Sequence, residues 1–301
     1  MRLEDWVTRW VSVHGIRWEV STRSQRADLL DNWIEPFLGK TRLRELGRAR
    51  VNSWRAEAIA NGASPKTVNS ALRVLSACLT GAVEEGLMPA NPCIGMRPLP
   101  APPIERRVIP IAQVEQIRAT LPLAGDRAVV SLLCYAGLRP QEIAALRWSD
   151  VREATILIAR AQGQAGTKST KTRQTRAVPM LAPVRDDIDA LEPFSHWLIA
   201  SPRRAGRPMD AHNWANRVWR PAVRSLGLDY TPYEGRHTCA SLLIAEGRTV
   251  LEVAAWLGHS SPTTTLNHYG HLFDEAQLIS GESVETAVIR ERALAVRWMA
   301  S

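Results

Sequence analysis

A run of prolines after the first ninety residues constrains the fold of this chain more than any other feature. Each proline fixes its own φ and removes a backbone donor, so the run resists helix and favours an extended, semi-rigid linker. A chain of 301 residues also has the length of two domains of ~100–200 residues. We therefore predict a first domain at 1–96, a linker at 97–105 and a second domain with a C-terminal tail at 106–301. The prolines are Pro92, Pro98, Pro100, Pro102, Pro103 and Pro110.

The first hundred residues carry helical patterns. Leu3–Val13 and Ser24–Leu38 are candidate helices, and Ser64–Gly86 is the clearest. Ser64 can cap the last of these, the proline after it fits a first helical turn, and Gly86 suits the residue past its end. One apolar stripe at helical spacing runs along it: Val68, Ala71, Leu72, Leu75, Cys78, Leu79 and Ala82.

The second part of the chain mixes helical patterns with one hairpin. ATILIA at 154–159 predicts a strand and RAVPM at 176–180 its antiparallel return, and the segment between them is rich in Gly, Thr, Lys and Arg. The predicted fold class is mainly α with a small antiparallel β-sheet. Helical patterns cover 111–121, 126–136, 140–147, 183–200, 211–226, 237–246, 249–257 and 262–269.

The net charge of +8 favours a polyanionic partner, of which nucleic acid is the commonest. A merely basic surface is the alternative. Lysine is scarce: Lys66, Lys168 and Lys171 are three of only four, and lysine can give up a proton whereas arginine effectively cannot. Lys66 and Arg73 lie off the apolar stripe, where they face either DNA phosphates or solvent.

The four cysteines are widely separated and show neither a CxxC pair nor Cys/His ligand spacing. This pattern predicts a reducing compartment, no disulfides and no structural zinc. The N-terminus lacks the apolar core of a signal peptide, and the longest apolar stretch, near 128–138, is too short for a bilayer span. We expect a cytoplasmic protein that does not bind a membrane.

Five short segments place reactive side chains at element ends or turns. Arg139 begins a predicted helix, and Glu142 lies one turn further on, where it can orient the guanidinium. Arg236 opens another helix. His259 lies at a joint between two helices, and Tyr269 ends a short helix just before Gly270. Taken singly, each of these also fits an ordinary structural or surface residue, as do the hairpin lysines.

Together the five segments suit phosphoryl transfer to an oxygen nucleophile. A tyrosine supplies the nucleophile, arginines clamp phosphate oxygens and stabilise the added charge of the transition state, and a lysine can protonate the departing oxygen. Acidic clusters that would hold magnesium are missing near these residues, and no GxxxxGK[ST] loop is present. We therefore expect no metal and no nucleotide cofactor.

In this order the segments resemble the catalytic domain of tyrosine recombinases, the phage-integrase family, over roughly 106–275. The motifs are AGLRPQEIAALRW, KTRQTRAVP, RHTCASLL and LGHSSPTTTLNHY. The helical first hundred residues resemble that family's core-binding domain. The resemblance implies a site-specific recombinase that cleaves and religates DNA through a 3′-phosphotyrosine.

The resemblance also implies a role for each matching residue. Arg139 and Arg236 are the two catalytic arginines, and His259 belongs to the LGH motif. Lys171, eight residues before Pro179, is the general acid of the hairpin, and Tyr269 is the nucleophile. Glu142 supports the first arginine. Further candidate DNA contacts are Lys66, Arg73, Lys168 and Arg173.

One position departs from the family pattern His-x-x-Arg-His. Tyr233 stands where the first histidine is expected, and that histidine is thought to assist proton transfer with the nucleophile. Tyrosine is a poor base at neutral pH because its reference pKa is ~10. We interpret this as reduced dependence on a base. As a hypothesis, the Tyr233 hydroxyl hydrogen-bonds the scissile phosphate, so that Tyr233→Phe slows cleavage.

The resemblance further implies a monomer in solution that clamps duplex DNA and assembles as a homotetramer on two duplexes. The apolar tail at 280–301 suits docking onto a neighbouring subunit, and packing onto its own domain is equally open. Because the core-binding pattern starts almost at residue 1, we expect no additional N-terminal domain that binds accessory sites. A type IB topoisomerase and a catalytically inactive DNA-binding regulator remain as alternatives. The target site and the biological task are not encoded in any recognisable motif.

Overall fold

The computed structural model describes residues 1–102, 107–163, 166–169, 175–201, 206–276 and 283–299. The chain divides into two compact units, Met1–Ile104 and Glu105–Ser301. This division falls inside the segment 97–105 that the proline run predicts as a linker. The functional boundaries at 96 and 106 stay predictions.

The first unit is helical. The helix predicted at 64–86 is confirmed, with Ser64 Oγ accepting a hydrogen bond from the Thr67 backbone at 3.1 Å. The pattern at 24–38 proves to be two helices joined by a π-helical turn, Leu30–Ile34. The helix bounds are α1 Leu3–His14, α2 Val20–Leu29, α3 Glu35–Leu38, α4 Arg48–Ala60 and α5 Pro65–Glu84.

The core of the first unit lies between α5 and the N-terminal helix. Every residue of the predicted α5 stripe is buried, and Trp6 and Trp10 of α1 pack against it. The Trp6 indole donates to the Cys78 carbonyl at 2.9 Å. Burying each such apolar side chain stabilises a fold by about 1.5–3 kcal/mol. Lys66 and Arg73 are exposed on the same helix.

The second unit is also mainly helical, as predicted. Its core is centred on α7, whose residues 128–134 are all buried. The π-helical turn Ala215–Trp219 connects two of its short helices. The bounds are α6 Ile111–Ala119, α7 Ala124–Cys134, α8 Pro140–Ile143, α9 Ala182–Asp189, α10 Ala211–Trp214, α11 Arg220–Ser225, α12 Pro232–Ala245, α13 Val250–Leu257, α14 Pro262–Ala276 and α15 Val284–Met299.

The predicted hairpin is present, and it contains two successive strand pairs. β1 (Thr155–Ile158) pairs antiparallel with β4 (Arg176–Pro179), with Ile156 opposite Val178 in the buried row. β2 (Arg160–Gly163) pairs with β3 (Gly166–Ser169). One residue separates β1 from β2, whereas six separate β3 from β4. Lys171 and Arg173 fall in that longer segment, at positions outside the described residues.

Two helical predictions in the second unit are too long. The pattern at 140–147 is helical only to Ile143 and gives way to a turn. The pattern at 183–200 ends at Asp189, shortly before Pro193, which cannot continue a helix. Beyond it, Trp197 forms an isolated bridge with Arg147. Of the helices in the described part of the chain, none combines the length and apolarity that a bilayer span requires.

The C-terminal helix α15 packs onto its own unit, one of the two arrangements left open by the sequence. Val284 and Val288 are buried in the core of that unit. Arg292 donates to Glu115 at 3.0 Å and to Asp187 at 3.2 Å, and both carboxylates are buried. Other apolar side chains of α15 remain exposed: Ile289, Leu294 and Val296.

Candidate active site

A sharp corner between α7 and α8 positions Arg139. Gly137 adopts φ +68°, and a Cβ there would lie 2.8 Å from Cys239 Sγ, so both conformation and space favour glycine. Arg139 caps α8, and its backbone N–H donates to Glu142 Oε2 at 2.9 Å. Its guanidinium donates to Glu142 Oε1 at 2.7 Å. The corner therefore holds one arginine against one carboxylate.

Glu142 is buried and contacts a second arginine, which the sequence analysis did not single out. Arg176 of β4 donates through Nη1 and Nη2 to the two carboxylate oxygens at 3.0 and 2.8 Å. Burial alone would raise the pKa of Glu142, but the hydrogen bonds and charge of Arg176, with the charge of Arg139, lower it to about 2. Glu142 is therefore ionised at neutral pH. Arg176 could have been identified as the last charged residue of KTRQTRAVP.

Arg236 lies in the second turn of α12, so the expectation that it opens a helix is wrong. The helix begins earlier because Pro232 occupies its first turn and Thr231 caps it. Arg236 is buried, and it donates to the carbonyl oxygens of Gly137, at 2.5 Å, and Leu257. Burial and the charge of Arg139 lower its pKa to about 10. It remains a cation at neutral pH.

The C-terminal end of α13 holds all three guanidinium groups. Successive carbonyl oxygens accept from Arg176 (Trp256 O, 2.9 Å), from Arg236 (Leu257 O) and from Arg139 (Gly258 O, 3.3 Å). The last carbonyls of a helix lack intrahelical partners and carry its negative dipole end, so they favour cations. A side chain at Gly258, with φ +66°, would meet Arg176 Nη1 at 2.7 Å.

His259 follows directly and is half-buried. Its Nδ1 is hydrogen-bonded to Oγ1 of the fully buried Thr265, at 2.8 Å. Burial, with the nearby charges of Arg236 and Arg139, lowers the pKa of His259 to about 3. The imidazole is therefore neutral in this state. The contact from Thr265 fixes the ring orientation, and the sequence carried no separate signal for that threonine.

Tyr269 lies inside α14, so the expectation that it ends a short helix is wrong. The helix continues through Gly270, which costs about 1 kcal/mol relative to alanine without ending a helix. Only 2% of Tyr269 is exposed, and it packs in an apolar cluster with Cys239, Leu243 and Leu257. Its hydroxyl makes a hydrogen bond with His237 Nδ1.

Two further sequence candidates of the second unit, Tyr233 and Lys168, lie among the described residues. The half-exposed Tyr233 donates its hydroxyl to Gln141 Oε1 at 3.2 Å. Lys168 is in β3, opposite Ala161. Three arginines and one buried carboxylate thus give the described cluster a net charge of +2, before any contribution from the hairpin lysines. Such a cluster suits a phosphate group, which gains a second negative charge as it is attacked.

Comparison with known proteins identifies the family. The model of the phage integrase family matches residues 107–276, more than half of the chain. This chain belongs to the phage integrase family. The resemblance in the motifs is confirmed, and the activity of the class is site-specific breakage and rejoining of DNA through a tyrosine nucleophile.

Individual relatives agree with this assignment. The ICEBs1 integrase of Bacillus subtilis (strain 168) is 22% identical over 277 residues, which cover 83% of this chain and 73% of the relative. Among solved structures, the Tn1549 transposon integrase in complex with a circular intermediate DNA has a TM-score of 0.79 at 21% identity, covering 92% of this chain and 98% of that one. A lambda integrase tetramer bound to a Holliday junction has a TM-score of 0.73 at 18% identity, covering 89% and 77%. These structural likenesses describe the fold.

Proposed function

We propose that this recombinase uses Tyr269 to attack a DNA phosphate, and that Arg139, Arg236 and His259 bind that phosphate during the reaction. The observation that carries the proposal is the convergence of all four side chains on one helix end. The two arginines bind carbonyls at the end of α13, His259 follows that end, and Tyr269 packs against Leu257 within it. A phosphate bound there meets cations and a nucleophile together.

The proposed reaction exchanges one phosphodiester for another. The Tyr269 oxygen forms a bond to phosphorus while the bond from phosphorus to the 5′-oxygen breaks, leaving a 3′-phosphotyrosine and a 5′-hydroxyl. Lys171 supplies the proton that the departing oxygen needs. Arg139 and Arg236 stabilise the charge added to the phosphate, and Glu142 holds the first of them. Religation reverses each step, so no energy source is required.

The proposed partner is double-stranded DNA, with further contacts from Lys66, Arg73, Lys168 and Arg173. Because such contacts displace counterions, affinity should fall steeply with salt. We propose a monomer that assembles as a homotetramer on two duplexes, in line with the lambda integrase tetramer on a Holliday junction. The proposed site of action is the cytoplasm, without a metal, nucleotide or membrane. The proposed task is integration, excision or resolution of DNA at a specific site.

A nicked suicide substrate carrying the recombination site tests the nucleophile. In this substrate the short 5′-hydroxyl strand diffuses away after cleavage, so the covalent adduct accumulates. We expect an adduct with the natural chain and none with Tyr269→Phe. Tyr230→Phe is the matched control, because the Tyr230 hydroxyl donates to Gln113 instead of meeting His237. An adduct that survives in Tyr269→Phe would contradict the proposal.

The adduct assay and a plasmid-relaxation assay together separate the two alternatives. A DNA-binding regulator with this fold forms no adduct at any site. A type IB topoisomerase relaxes supercoiled plasmid that lacks a recombination site, whereas the proposed recombinase acts only where its site is present.

A further inference from the structure

We infer that His237 is the catalytic residue that accepts the proton of Tyr269 during attack. This inference rests on the proposed role of Tyr269 as nucleophile. It assigns a function to a histidine for which the motif analysis gave no role. It also locates a base in a chain where Tyr233 replaces the histidine expected to assist the nucleophile.

The contact between the two side chains carries the inference. The Tyr269 hydroxyl is hydrogen-bonded to His237 Nδ1, and the ring centroids are 5.6 Å apart at an interplanar angle of 59°. Tyr269 is almost fully buried, whereas His237 is only partly buried. A buried phenol must pass its proton to a neighbouring group, because a phenolate is the better nucleophile and bulk water does not reach it. His237 is placed to take that proton and exchange it with solvent.

Other candidate bases near the site are committed to different contacts. His259 Nδ1 is bound to Thr265, and burial together with the surrounding arginines lowers the pKa of His259, which makes it a poor acceptor. Glu142 is bound by Arg139 and Arg176. A carboxylate with a pKa of about 2 is likewise a weak base.

The position of His237 on α12 explains how Tyr233 can replace a histidine. Residues four apart in a helix lie on the same face, one turn above the other. Tyr233 and His237 are such a pair in α12, and Arg236 directly precedes His237. The Tyr233 hydroxyl donates to Gln141, whereas His237 meets the nucleophile. The base therefore lies one turn further along the helix than the substituted position.

Protons and charge are conserved in the proposed cleavage step. Neutral His237 carries its proton on Nε2 and offers the Nδ1 lone pair to the Tyr269 hydroxyl. As the bond from the tyrosine oxygen to phosphorus forms, that proton moves to Nδ1, and the leaving 5′-oxygen takes a proton from Lys171. His237 becomes a cation while the lysine becomes neutral. In religation the imidazolium returns the proton to the departing tyrosine.

Two substitutions at His237 distinguish a base from a positioning contact. His237→Asn keeps a polar group near the Nδ1 position but has no basicity, and His237→Phe keeps the ring shape alone. We expect both to slow single-turnover cleavage of the suicide substrate by about 10²–10⁴-fold, the usual range for general-base catalysis. Near-natural cleavage by His237→Asn would show that only positioning matters and would overturn the inference. So would natural rates in both variants.

A substrate with sulfur in place of the bridging 5′-oxygen tests which proton His237 handles. A thiolate leaves without protonation, so a variant that lacks the general acid recovers its rate on this substrate, and a variant that lacks the base does not. We expect Lys171→Ala to be restored and both His237 variants to stay slow. Restoration of the His237 variants would place His237 at the leaving group and overturn the inference.

Two controls keep these results interpretable. Each variant is compared with the natural chain for thermal unfolding and for DNA affinity, and if His237→Phe fails to fold, His237→Asn still decides between the outcomes. Tyr269→Phe is run in parallel. If it still forms an adduct, the proposed nucleophile is wrong, whereas loss of its adduct together with natural cleavage by the His237 variants refutes this inference alone.

Discussion

Arg176 binds both carboxylate oxygens of Glu142, at 3.0 and 2.8 Å, and the partly exposed Arg139 binds the same carboxylate. Arg176 is only 11% exposed and Glu142 2% exposed, so the pair is shielded from solvent. Removing one partner from a buried ion pair leaves an uncompensated charge, at a cost of about 3–5 kcal/mol. The contact therefore fixes both the stability and the geometry of the arginine cluster.

We expect Arg176→Met to lower the free energy of unfolding by about 3–5 kcal/mol and to abolish cleavage. Urea denaturation and the suicide-substrate assay measure the two effects. The double variant Arg176→Met, Glu142→Gln should recover part of the stability, because the buried carboxylate charge is removed together with its partner, yet stay inactive, because Arg139 has lost its carboxylate. An unchanged unfolding midpoint in the single variant would contradict this account.

We expect Gly258→Ala to destabilise the chain more than Gly227→Ala. Both glycines have a φ near +70°, so alanine meets a similar backbone penalty of about 1–2 kcal/mol at each. An added Cβ at Gly227 has nothing within 4 Å, whereas one at Gly258 meets Arg176 at 2.7 Å. The difference between their unfolding free energies measures the clash, and cleavage should fall only in Gly258→Ala. Equal effects would show that the arginine moves aside freely.

Thr265→Val should slow cleavage by about tenfold while leaving DNA affinity unchanged. The substitution keeps the shape of the buried side chain but removes the hydroxyl that orients His259. In histidine, the contact of one ring nitrogen sets the state and direction of the other. Thr263→Val, on the exposed side of the same helix, is the matched control and should behave as the natural chain. A natural single-turnover rate in Thr265→Val would rule out this orienting role.

Stability should fall as the pH is lowered from about 6.5 towards 5, and His259 should cause part of the fall. Its pKa is lowered from 6.5 to about 3 in the folded chain. Between these values the unfolded state binds a proton that the folded state does not, so acid favours unfolding. Glu142 contributes only lower, as the pH falls below its ordinary value of 4.5.

Urea denaturation at pH 7 and pH 5 measures this effect. The difference in unfolding free energy between the two pH values should be smaller in His259→Asn than in the natural chain. The variant lacks the side chain that takes up about one proton on unfolding at pH 5. The same pH dependence in both proteins would show that His259 titrates normally in the folded state.

The exposed face of α15 should support assembly on DNA without supporting the fold. Ile289 and Leu294 are about half exposed, whereas Val288 and Arg292 on the other face are held by the same unit. We expect the double variant Ile289→Ser, Leu294→Ser to keep its unfolding midpoint and monomer binding but to lose cooperative assembly. Electrophoretic mobility shifts with one-site and two-site duplexes measure this. Val288→Ser is the contrasting variant, and it should lower stability. Unaltered assembly would refute the docking role.

Most of the fold could be predicted from the periodic patterns of apolar residues and from the prolines and glycines at the ends of helices and strands. The apolar stripe on α5 and the alternation in the β1–β4 pair could be predicted from the sequence, because burial imposes a fixed period on apolar residues. Helix α4 was missed because only Val51, Trp54 and Ala58 of its thirteen residues are buried. The helix end at Asp189 was misjudged although Pro193 marks it in the sequence, and the end beyond Gly270 was misjudged because one glycine does not by itself end a helix.

The active site was partly readable for a different reason. Arginines, a histidine and a tyrosine in the observed order are typical of phosphoryl transfer to a tyrosine. The residue types therefore predicted the reaction before their positions in space were known. Arg176 was marked only as the last charged residue of KTRQTRAVP, and His237 gave no such signal, since a histidine in a helix is ordinary. Their importance comes from partners 34 and 32 residues away along the chain. Contacts of that kind exist only after folding.

The end of α13 has a consequence for how this enzyme can be switched. The carbonyls of Trp256, Leu257 and Gly258 belong to consecutive residues, and each binds a different guanidinium group. A shift or rotation of that one helix end therefore changes all three contacts at once. Any signal that reaches α13, whether from bound DNA or from another subunit, would therefore engage or release the whole clamp in a single motion.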